Sequence, residues 1–374
     1  MPCVNKVLIV GGGIAGLSAA IALGRKGVAC DVAEIGKSGT PVGAAITFHG
    51  QSVRALDGLG VLAECKRLGE FYFFTVNNYD ATGRPIDEPP PADRKGPPTV
   101  SIFRPLLAEV LLSHAQRLGA NVQFSISVQH LDFDGDIVGA HFTDGRIGRY
   151  DLVIGADGLH SSVRRLLFGD AVCPAYAGQT SVRWMADGPP IDGPTMIYRA
   201  RGVYMLSVPL PKQNLIYVAT VSNRDPTDHV DDNQARAILA DQLAIFTAPY
   251  VVALAKRLTA DSKVIVRPFE WLLTPDPWFR GQTLLIGDAA HATTAQMSAG
   301  GGMAMEDALV LAECVVGATS VSAALGAFMK RRFERVRLVV EAGVNICKFE
   351  QDAVSPKVID SYRQEVLRRL ALPY

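Results

Sequence analysis

The chain opens with a short apolar run, a cluster of glycines and a longer apolar stretch. The first run, Lys6–Val10, is rich in β-branched residues, which predicts a buried strand of a parallel sheet. Residues 17–26 have the pattern of a helix that ends in cations and then Gly27. A second predicted strand covers residues 28–33. Strand, helix and strand in this order predict a doubly wound α/β unit.

Later apolar runs predict a second sheet and a C-terminal helix. Four β-branched segments have the pattern of antiparallel strands, at residues 180–184, 195–198, 202–208 and 215–220. From Val321 onward the apolar positions resume helical spacing. The basic run at 329–337 is expected to form a solvated helix face, on which Arg331 and Arg335 repel each other mildly. Residues 85–98 contain three consecutive prolines and predict an exposed loop.

Composition narrows the function classes. The 374 residues are 48% hydrophobic and 20% charged, so the chain can bury a large core. Its 37 basic and 37 acidic residues balance, which gives no electrostatic footprint for nucleic acid or an anionic membrane. The six cysteines form no CxxC pair. That pattern argues against a zinc site or other metal site and against a disulfide framework, and it predicts a cytoplasmic location.

The glycine cluster matches GxGxxG with Gly11, Gly13 and Gly16. Gly11 permits the tight turn, Gly13 lets the backbone approach a pyrophosphate, and Gly16 allows close packing of helix on strand. Glu34 is placed to accept hydrogen bonds from a ribose diol. The unit therefore predicts a bound dinucleotide, without separating NAD from FAD. A glycine-rich turn without ligand and an uncharged targeting segment at 7–24 are the alternatives.

Two further segments repeat the pattern of a buried strand that ends at an acid. The first ends in Asp157-Gly158, which alone is more often an ordinary turn. The second ends in Gly287-Asp288, and the glycines at 300–302 then lead into a predicted helix. This arrangement places Asp288 beside a polyol and an open helix N-terminus against a polar ring edge.

In this order and spacing, the three motifs resemble those of the class A FAD-dependent aromatic monooxygenases, the family of salicylate, hydroxybenzoate, hydroxypyridine and urate hydroxylases. The match covers residues 4 to about 340. It implies an α/β fold: a Rossmann-like, doubly wound FAD-binding domain, an antiparallel β-sheet substrate domain and a C-terminal helix. It also implies bound FAD, with NADH or NADPH as a transient co-substrate. The implied reaction is hydroxylation of a small, electron-rich aromatic or heteroaromatic ring with O2 through a flavin C4a-hydroperoxide.

The resemblance implies a set of cofactor contacts. The first motif is expected to bind the ADP half of FAD, Asp157 to contribute to FAD and NAD(P)H binding, and Asp288 to bind the ribityl chain. Arg104, in an R-x-x-L segment, is expected to approach the FAD, and the backbone of Val128 to meet the adenine. The remaining expected contacts are small residues and one methionine: Ala15, Ala44, Ala45, Gly300, Gly301, Gly302 and Met303.

Four residues are candidates for substrate contact. Tyr204 and Tyr217 lie near the centres of neighbouring predicted strands, at positions that match substrate-facing positions in relatives. A core tyrosine with one satisfied hydroxyl is the alternative. Thr47 and His49 are expected beside them. His291, in the segment GDAAH, is expected to be structural and to tie this loop to a neighbour.

Departures from the family pattern leave other chemistries open. His49-Gly50 replaces Pro-Asn, Ala295 replaces a proline, and Ala299 or a glycine replaces a common glutamine. An epoxidase, a Baeyer–Villiger-type oxygenase, a dehydrogenase and a FAD-binding protein without turnover remain alternatives. No second GxGxxG is present, which agrees with the family.

The resemblance predicts a monomer or homodimer and a division of the chain into six segments. The FAD-binding parts are expected at 1–75, 101–170 and 271–325, a substrate-side loop and strand at 76–100, the substrate domain at 171–270, and a helical segment at 326–374.

Overall fold

A computed structural model of the chain describes residues 3–38, 44–86, 96–188, 195–225 and 230–374. The helices in these ranges are α1 (Ile14–Gly24), α2 (Gln51–Gly58), α3 (Leu62–Leu68), α4 (Arg104–Arg117), α5 (Ser162–Phe168), α6 (Asp232–Ala244), α7 (Pro249–Ala255), α8 (Gly300–Gly317), α9 (Val321–Gln351) and α10 (Pro356–Leu370). The strands are β1 (Lys6–Val10), β2 (Ala29–Glu34), β3 (Ala45–His49), β4 (Glu70–Phe73), β5 (Val76–Asp80), β6 (Pro98–Phe103), β7 (Asn121–Phe124), β8 (Val128–Asp134), β9 (Ile137–Phe142), β10 (Ile147–Tyr150), β11 (Leu152–Gly155), β12 (Ala175–Asp187), β13 (Thr195–Ala200), β14 (Val203–Leu210), β15 (Leu215–Ser222), β16 (Val264–Leu273), β17 (Phe279–Arg280), β18 (Thr283–Leu285) and β19 (His291–Ala292).

The sheet of the first unit has the strand order β17-β18-β11-β1-β2-β7. β1 lies at its centre and pairs in parallel with β2 and β11, while the short β17 adds an antiparallel edge. Helices α1 and α8 pack together in the core beside this sheet. Three strands that are distant in the sequence thus end at one edge of a parallel sheet, each followed by a glycine-containing motif. This is the predicted α/β, doubly wound class.

The second large sheet has the order β19-β16-β12-β15-β14-β13-β5. It contains all four strands that the middle of the sequence predicts, and they pair in antiparallel fashion. At its edge, however, β5 pairs in parallel with β13. One face, with Val203 and Met205, packs against α6 and α7, and the alternate residues Tyr204 and Leu206 lie on the opposite face.

The three-stranded sheet β3-β6-β4 separates apolar from polar side chains. Ile46 and Phe48 approach Gly301 at the start of α8 on one face. Thr47 and His49 alternate with them and lie on the other face. A further sheet, β10-β9-β8, is built from hairpins.

The prediction of a solvated basic face at 329–337 is wrong for Arg332 and Arg335, although Lys330 and Arg337 face solvent. Arg332 on α9 is fully buried and donates hydrogen bonds to Glu306 (2.7 Å) and Asp307 (2.8 Å) on α8. Arg335 bonds Glu306 as well, at 2.7 Å. The reason is that α8 carries two acids into the core, and a buried carboxylate requires a nearby cation. The expected repulsion is compensated too, because Arg331 pairs with Glu313 at 2.8 Å.

Two properties concern the described ranges only. Within them, no helix combines the length and the apolar composition that crossing a lipid bilayer requires. The same ranges bring no three His, Cys, Asp or Glu side chains into a group that could hold a metal ion. Of the predicted loop at 85–98, residues 87–95 lie outside the described residues, and Pro98 begins β6.

Candidate active site

The three glycine-containing motifs pack directly against one another. Gly11 has a φ of 108°, and a Cβ there would collide with the carbonyl oxygen of Ala156, just before Asp157. A Cβ on Gly16 would collide with the carbonyl oxygen of Gly11. Gly287 lies against the first motif, since a Cβ there would be 2.7 Å from that of Ala15. These positions need glycine because backbone passes against backbone.

Open space faces the start of α1 at this junction, and among the described residues the first turns of α1 and α8 both lack a side-chain cap. A Cβ on Gly13, which precedes α1, would meet no atom of the described chain within 4 Å. In the same described residues, neither α1 nor α8 has a side-chain cap hydrogen bond at its first turn. Unpaired N–H groups and the positive end of the helix dipole are therefore available to an anionic or polar ligand at both helices.

Glu34 lies beside the glycine loop at the end of β2. Its carboxylate accepts hydrogen bonds from the backbone N–H groups of Gly12 and Gly36, both at 2.6 Å. Its carbonyl oxygen accepts the N–H of Ile126 at 3.0 Å, which brings the segment before Val128 to the same edge. Val128 itself is buried at the start of β8. The acid predicted to bind a ribose and the segment predicted to meet an adenine thus lie next to each other.

Asp288 and Arg104 border one cleft, near enough for the charge of each to act on the pKa of the other. Both side chains are exposed to it, although protein surrounds them on most sides. Burial raises the pKa of the Asp288 carboxyl, while His291 and Arg104 act in the opposite direction. Burial also lowers the pKa of Arg104, as do the nearby charges of Arg183 and Arg267. A polyol hydroxyl that donates to Asp288 would compensate this carboxylate.

The remaining expected cofactor contacts border this cleft mainly with their backbones. The N–H of Arg104 donates to the carbonyl oxygen of Ala44 at 3.4 Å, and Ala45 pairs with Phe103. Gly300, Gly301 and Gly302 form the first turn of α8. Met303 follows them, but its side chain is buried against Arg332, with Sδ 3.6 Å from the guanidinium. The atoms of Met303 that could contact a flavin are therefore those of its backbone.

The carboxylate of Asp157 caps helix α5. It accepts hydrogen bonds from the N–H groups of Ser162 (2.7 Å) and Val163 (3.1 Å) and from the hydroxyls of Ser161 and Ser162. These bonds occupy both of its oxygens. Its contribution to nucleotide binding stays a prediction, and the structure gives the side chain a capping role.

Tyr217 and Tyr204 lie on the cleft face of the large sheet, at different distances from Arg104. Tyr217 is half-buried and lies near enough to Arg104 to act on the pKa of that guanidinium. Tyr204 lies toward α9, where burial and the charge of Glu350 raise its pKa well above the ordinary value. Tyr217 therefore lies near the predicted flavin contacts, and Tyr204 lies further along the sheet.

Thr47 and His49 belong to a row of polar side chains on the three-stranded sheet. Thr47 shares a hydrogen bond of 2.9 Å with Ser101, which is also 2.9 Å from the Tyr72 hydroxyl. His49 shares one of 2.9 Å with Thr99 and packs edge-on against a phenylalanine ring. Burial lowers the pKa of His49 to about 4, so its imidazole is uncharged at neutral pH.

His291 has the structural role that the sequence predicts. Its Nε2 lies 2.6 Å from Oδ2 of Asp307, which also accepts the N–H of Gly287 at 3.0 Å. Both side chains are buried. The contact ties the third motif to helix α8.

The sequence reasoning missed Arg183 and Arg267. Arg183 pairs with Ala219 and Arg267 with Ser181, so both share the face of Tyr217. The period-two alternation within residues 180–184 could have identified Arg183, because it places this side chain on the sheet face opposite to that of Val182 and Trp184. Arg267 lies on β16, for which no strand was predicted, although the β-branched run Val264-Ile265-Val266 at its start was a usable signal.

Two uncapped helix starts, an acid at the end of β2 and a second acid in the cleft fit the phosphates, ribose and ribityl chain of FAD. They define a dinucleotide-binding flavoprotein with a second, mainly antiparallel sheet attached. Residues 5–342 match the FAD binding domain family. The chain belongs to this family and, within it, to the class A FAD-dependent aromatic monooxygenases.

Known proteins are similar over nearly the whole chain. The FAD-dependent urate hydroxylase of Klebsiella pneumoniae subsp. pneumoniae is 30% identical over 351 residues, which cover 90% of this chain and 88% of the relative. The aurachin C monooxygenase/isomerase of Stigmatella aurantiaca is 30% identical over 353 residues, covering 92% and 89%. The crystal structure of Klebsiella pneumoniae HpxO with FAD and uric acid has a TM-score of 0.83 at 27% identity, covering 98% of this chain and 95% of that one. The protein is a flavoprotein monooxygenase of the aromatic hydroxylase type.

Proposed function

We propose that the protein hydroxylates a small phenolic, hydroxybenzoate or hydroxypyridine-type ring, with NADH or NADPH as reductant and O2 as oxidant. One observation carries the proposal: Arg104 lies near enough to both Tyr217, on the large sheet, and Asp288, in the third motif, for their charges to act on its pKa. A ring held there would lie between the sheet and the expected flavin contacts. The domain division, the cytoplasmic location and a monomeric or dimeric state stay predictions.

The residues at the start of α1 and α8, with Glu34, Arg104 and Asp288, would hold the FAD. When bound, this cofactor supplies the redox chemistry, accepting electrons from the nicotinamide and activating oxygen, which amino-acid side chains do not do. The way in which oxygen reacts in the family that the chain resembles is part of this proposal.

The charges of the cleft favour an ionised substrate. Arg104, Arg183 and Arg267 lie near one another on its substrate side, and their positive potential lowers the pKa of a nearby phenol. Ionisation raises the electron density of the ring carbon that attacks activated oxygen. Three cations around one half-enclosed space therefore match a ring that reacts as its phenolate.

Uncharged groups of the chain supply orientation. His49 is neutral at pH 7, so it acts toward a substrate by hydrogen bonding rather than as a cation. The hydroxyls of Thr47 and Tyr72 lie in the same row of polar groups, joined through Ser101. Fixed polar groups of this kind orient a ring so that the reacting carbon faces the cofactor.

The test is the absorption spectrum of the purified protein, followed by NADH and NADPH oxidation with hydroxybenzoates, hydroxypyridines and purines. We expect a yellow protein whose oxidation rate rises with one class of aromatic. With labelled O2, the product should gain one labelled oxygen atom. A protein that cannot be reconstituted with FAD contradicts the proposal, and bound FAD without substrate-stimulated oxidation supports a binding protein instead.

A further inference from the structure

A polar cavity lies on the cleft face of the large sheet, away from Tyr217. It holds about 190 Å³ of space between the ends of β13, β14 and β15 and the helices α9 and α10. That space corresponds to roughly six water molecules or a small polar group. Five polar side chains line it and define what we call the outer pocket: Gln179, Arg199, Tyr204, Asn223 and Glu350.

Arg199 presents an unused donor at this pocket. Its guanidinium carbon lies 5.5 Å from the ring centre of Tyr204, in a cation–π contact. Its Nε is buried, and within the described chain it has no hydrogen-bond acceptor. A buried guanidinium nitrogen without an acceptor is costly, so the pocket favours a ligand atom that accepts a hydrogen bond.

Glu350 presents an acceptor to the same pocket. Gln179 and Gln296 hold its carboxylate, with Nε2 of Gln296 at 3.4 Å, and Gln296 also donates to Gln179 at 2.8 Å. Burial raises the pKa of Glu350, although the charges of Arg199 and Arg363 oppose this. A ligand group with a donor next to an acceptor would compensate both side chains at once.

The outer pocket and Tyr217 lie on the same face of the large sheet. Tyr204 pairs with Val221, and Val208 pairs with Tyr217. The two tyrosines are therefore about 13 Å apart along the strand direction. Between them, on the same face, lies the pair Leu206 and Ala219, which forms an apolar floor.

Gln296 links the two sites from the cofactor side. It stands in the loop between His291 and α8, the helix whose first turn is expected along the flavin ring. Its Oε1 is also buried without a donor among the described residues.

We propose that the outer pocket binds the distal end of the substrate, with a carbonyl oxygen accepting from Arg199 and an adjacent N–H donating to Glu350. The inference rests on the proposed function. It assigns the substrate an amide-like group, such as a carboxamide or lactam, separated by an apolar spacer from the ring at Tyr217.

The test compares two phenols of equal shape in binding to the holoenzyme, followed by calorimetry and flavin absorbance. One is 6-(4-hydroxyphenyl)hexanamide, whose chain spans most of the distance between the two sites, and the other its apolar isostere 4-(6-methylheptyl)phenol. We expect the wild type to bind the amide at least about tenfold more tightly, since a hydrogen bond to a charged group corresponds to that factor or more.

The variants Arg199→Met and Glu350→Leu should each reduce this preference to about twofold or less. Arg199→Lys keeps the charge but loses the planar donors, so it should give an intermediate preference and guards against misfolding of the Met variant. The matched control is Arg201→Met, on the same hairpin but exposed and outside the pocket. It should keep the wild-type preference.

The outcomes separate the two proposals. Absence of amide binding, or an equal preference in wild type and Arg199→Met, overturns the outer pocket. If the phenols are hydroxylated without an amide preference, the proposed function stands and the pocket assignment falls. If the amide binds through Arg199 but stimulates no NAD(P)H oxidation, the pocket assignment stands and the proposed function fails.

Discussion

Nε of Arg332 donates a hydrogen bond of 2.8 Å to Oδ1 of Asp307, and both side chains are fully buried. The other oxygen of Asp307 accepts from the N–H of Gly287 and lies 2.6 Å from His291. A single carboxylate therefore connects the long helix α9 to the third cofactor motif. The cations beside it hold the pKa of Asp307 below its ordinary value despite its burial.

Replacing Arg332 with methionine should destabilise the fold strongly. The variant leaves Asp307 and Glu306 buried with less compensation, and breaking such a pair from one side costs about 3–5 kcal/mol in the free energy of unfolding. Urea denaturation of the holoenzyme measures this loss. Arg337→Met is the matched control, because Arg337 lies on the same helix in exposed ion pairs. An equal loss in both variants would argue against the buried network.

His49 should make stability depend on pH in a defined window. Its folded pKa is about 4, below the unfolded value near 6.5, so the unfolded chain binds more protons between these values. The contribution of the uncharged His49 to the free energy of unfolding is therefore complete above pH 6.5. It falls by up to about 3 kcal/mol as the pH drops toward 4.

The measurement for His49 is the difference in unfolding free energy between wild type and His49→Gln at pH 7.5 and pH 4.5. We expect the variant to lose less stability on acidification. His130→Gln, which changes an exposed histidine, should follow the wild type. Identical pH profiles for His49→Gln and wild type would contradict the burial of an uncharged imidazole.

Asp288→Asn should weaken cofactor binding without weakening the apoprotein. Loss of one charge-assisted hydrogen bond to the ribityl chain corresponds to at least about a tenfold rise in the dissociation constant of FAD. Because burial raises the pKa of Asp288, a neutral amide removes an unfavourable charge from the empty site. Flavin fluorescence titration and apoprotein melting test the two parts, with Asp136→Asn in an exposed turn as control. A variant that binds FAD normally would exclude Asp288 from the cofactor site.

Tyr217→Phe should reduce substrate-stimulated turnover by roughly tenfold, the effect of losing one oriented hydrogen bond. FAD binding and melting temperature should stay unchanged. Tyr198→Phe is the control, since Tyr198 lies on the opposite face of the same sheet, stacked on Tyr79 and Tyr250. The measurement is the steady-state rate with the aromatic compound that stimulates NAD(P)H oxidation. Equal rates for Tyr217→Phe and Tyr198→Phe would show that Tyr217 does not contact the substrate.

The sequence predicted the elements that local pattern determines. β1 has the predicted bounds, and the strands before Asp157 and Asp288 are present because continuous apolar runs between turn residues are typical of parallel strands. The sequence predicted a strand within residues 76–100 but not its bounds, since residues such as Asn77 and Asn78 give β5 no apolar alternation. Its parallel pairing depends on partners more than a hundred positions away.

The buried role of Arg332 was missed because charge runs on helices usually face solvent. The signal lay elsewhere, in Glu306 and Asp307, two adjacent acids with apolar residues on both sides of them in α8. Such acids require cations from another element, and the basic run was available to supply them. Which arginine turns inward depends on the crossing of α8 and α9, which local sequence does not encode.

Alternate residues of the large sheet face different neighbours. Val203, Met205 and Val218 pack in the core under α6 and α7, whereas Tyr204, Leu206 and Ala219 face the cleft. Substitutions at every second position can therefore alter which molecules are accepted while the folding core keeps its composition. A one-residue insertion within β14 would exchange the two sets and lose both. Residues of β14 that face the cleft can therefore be replaced during evolution without changing the folding core. A change in the length of β14 would disturb the cleft and the core together.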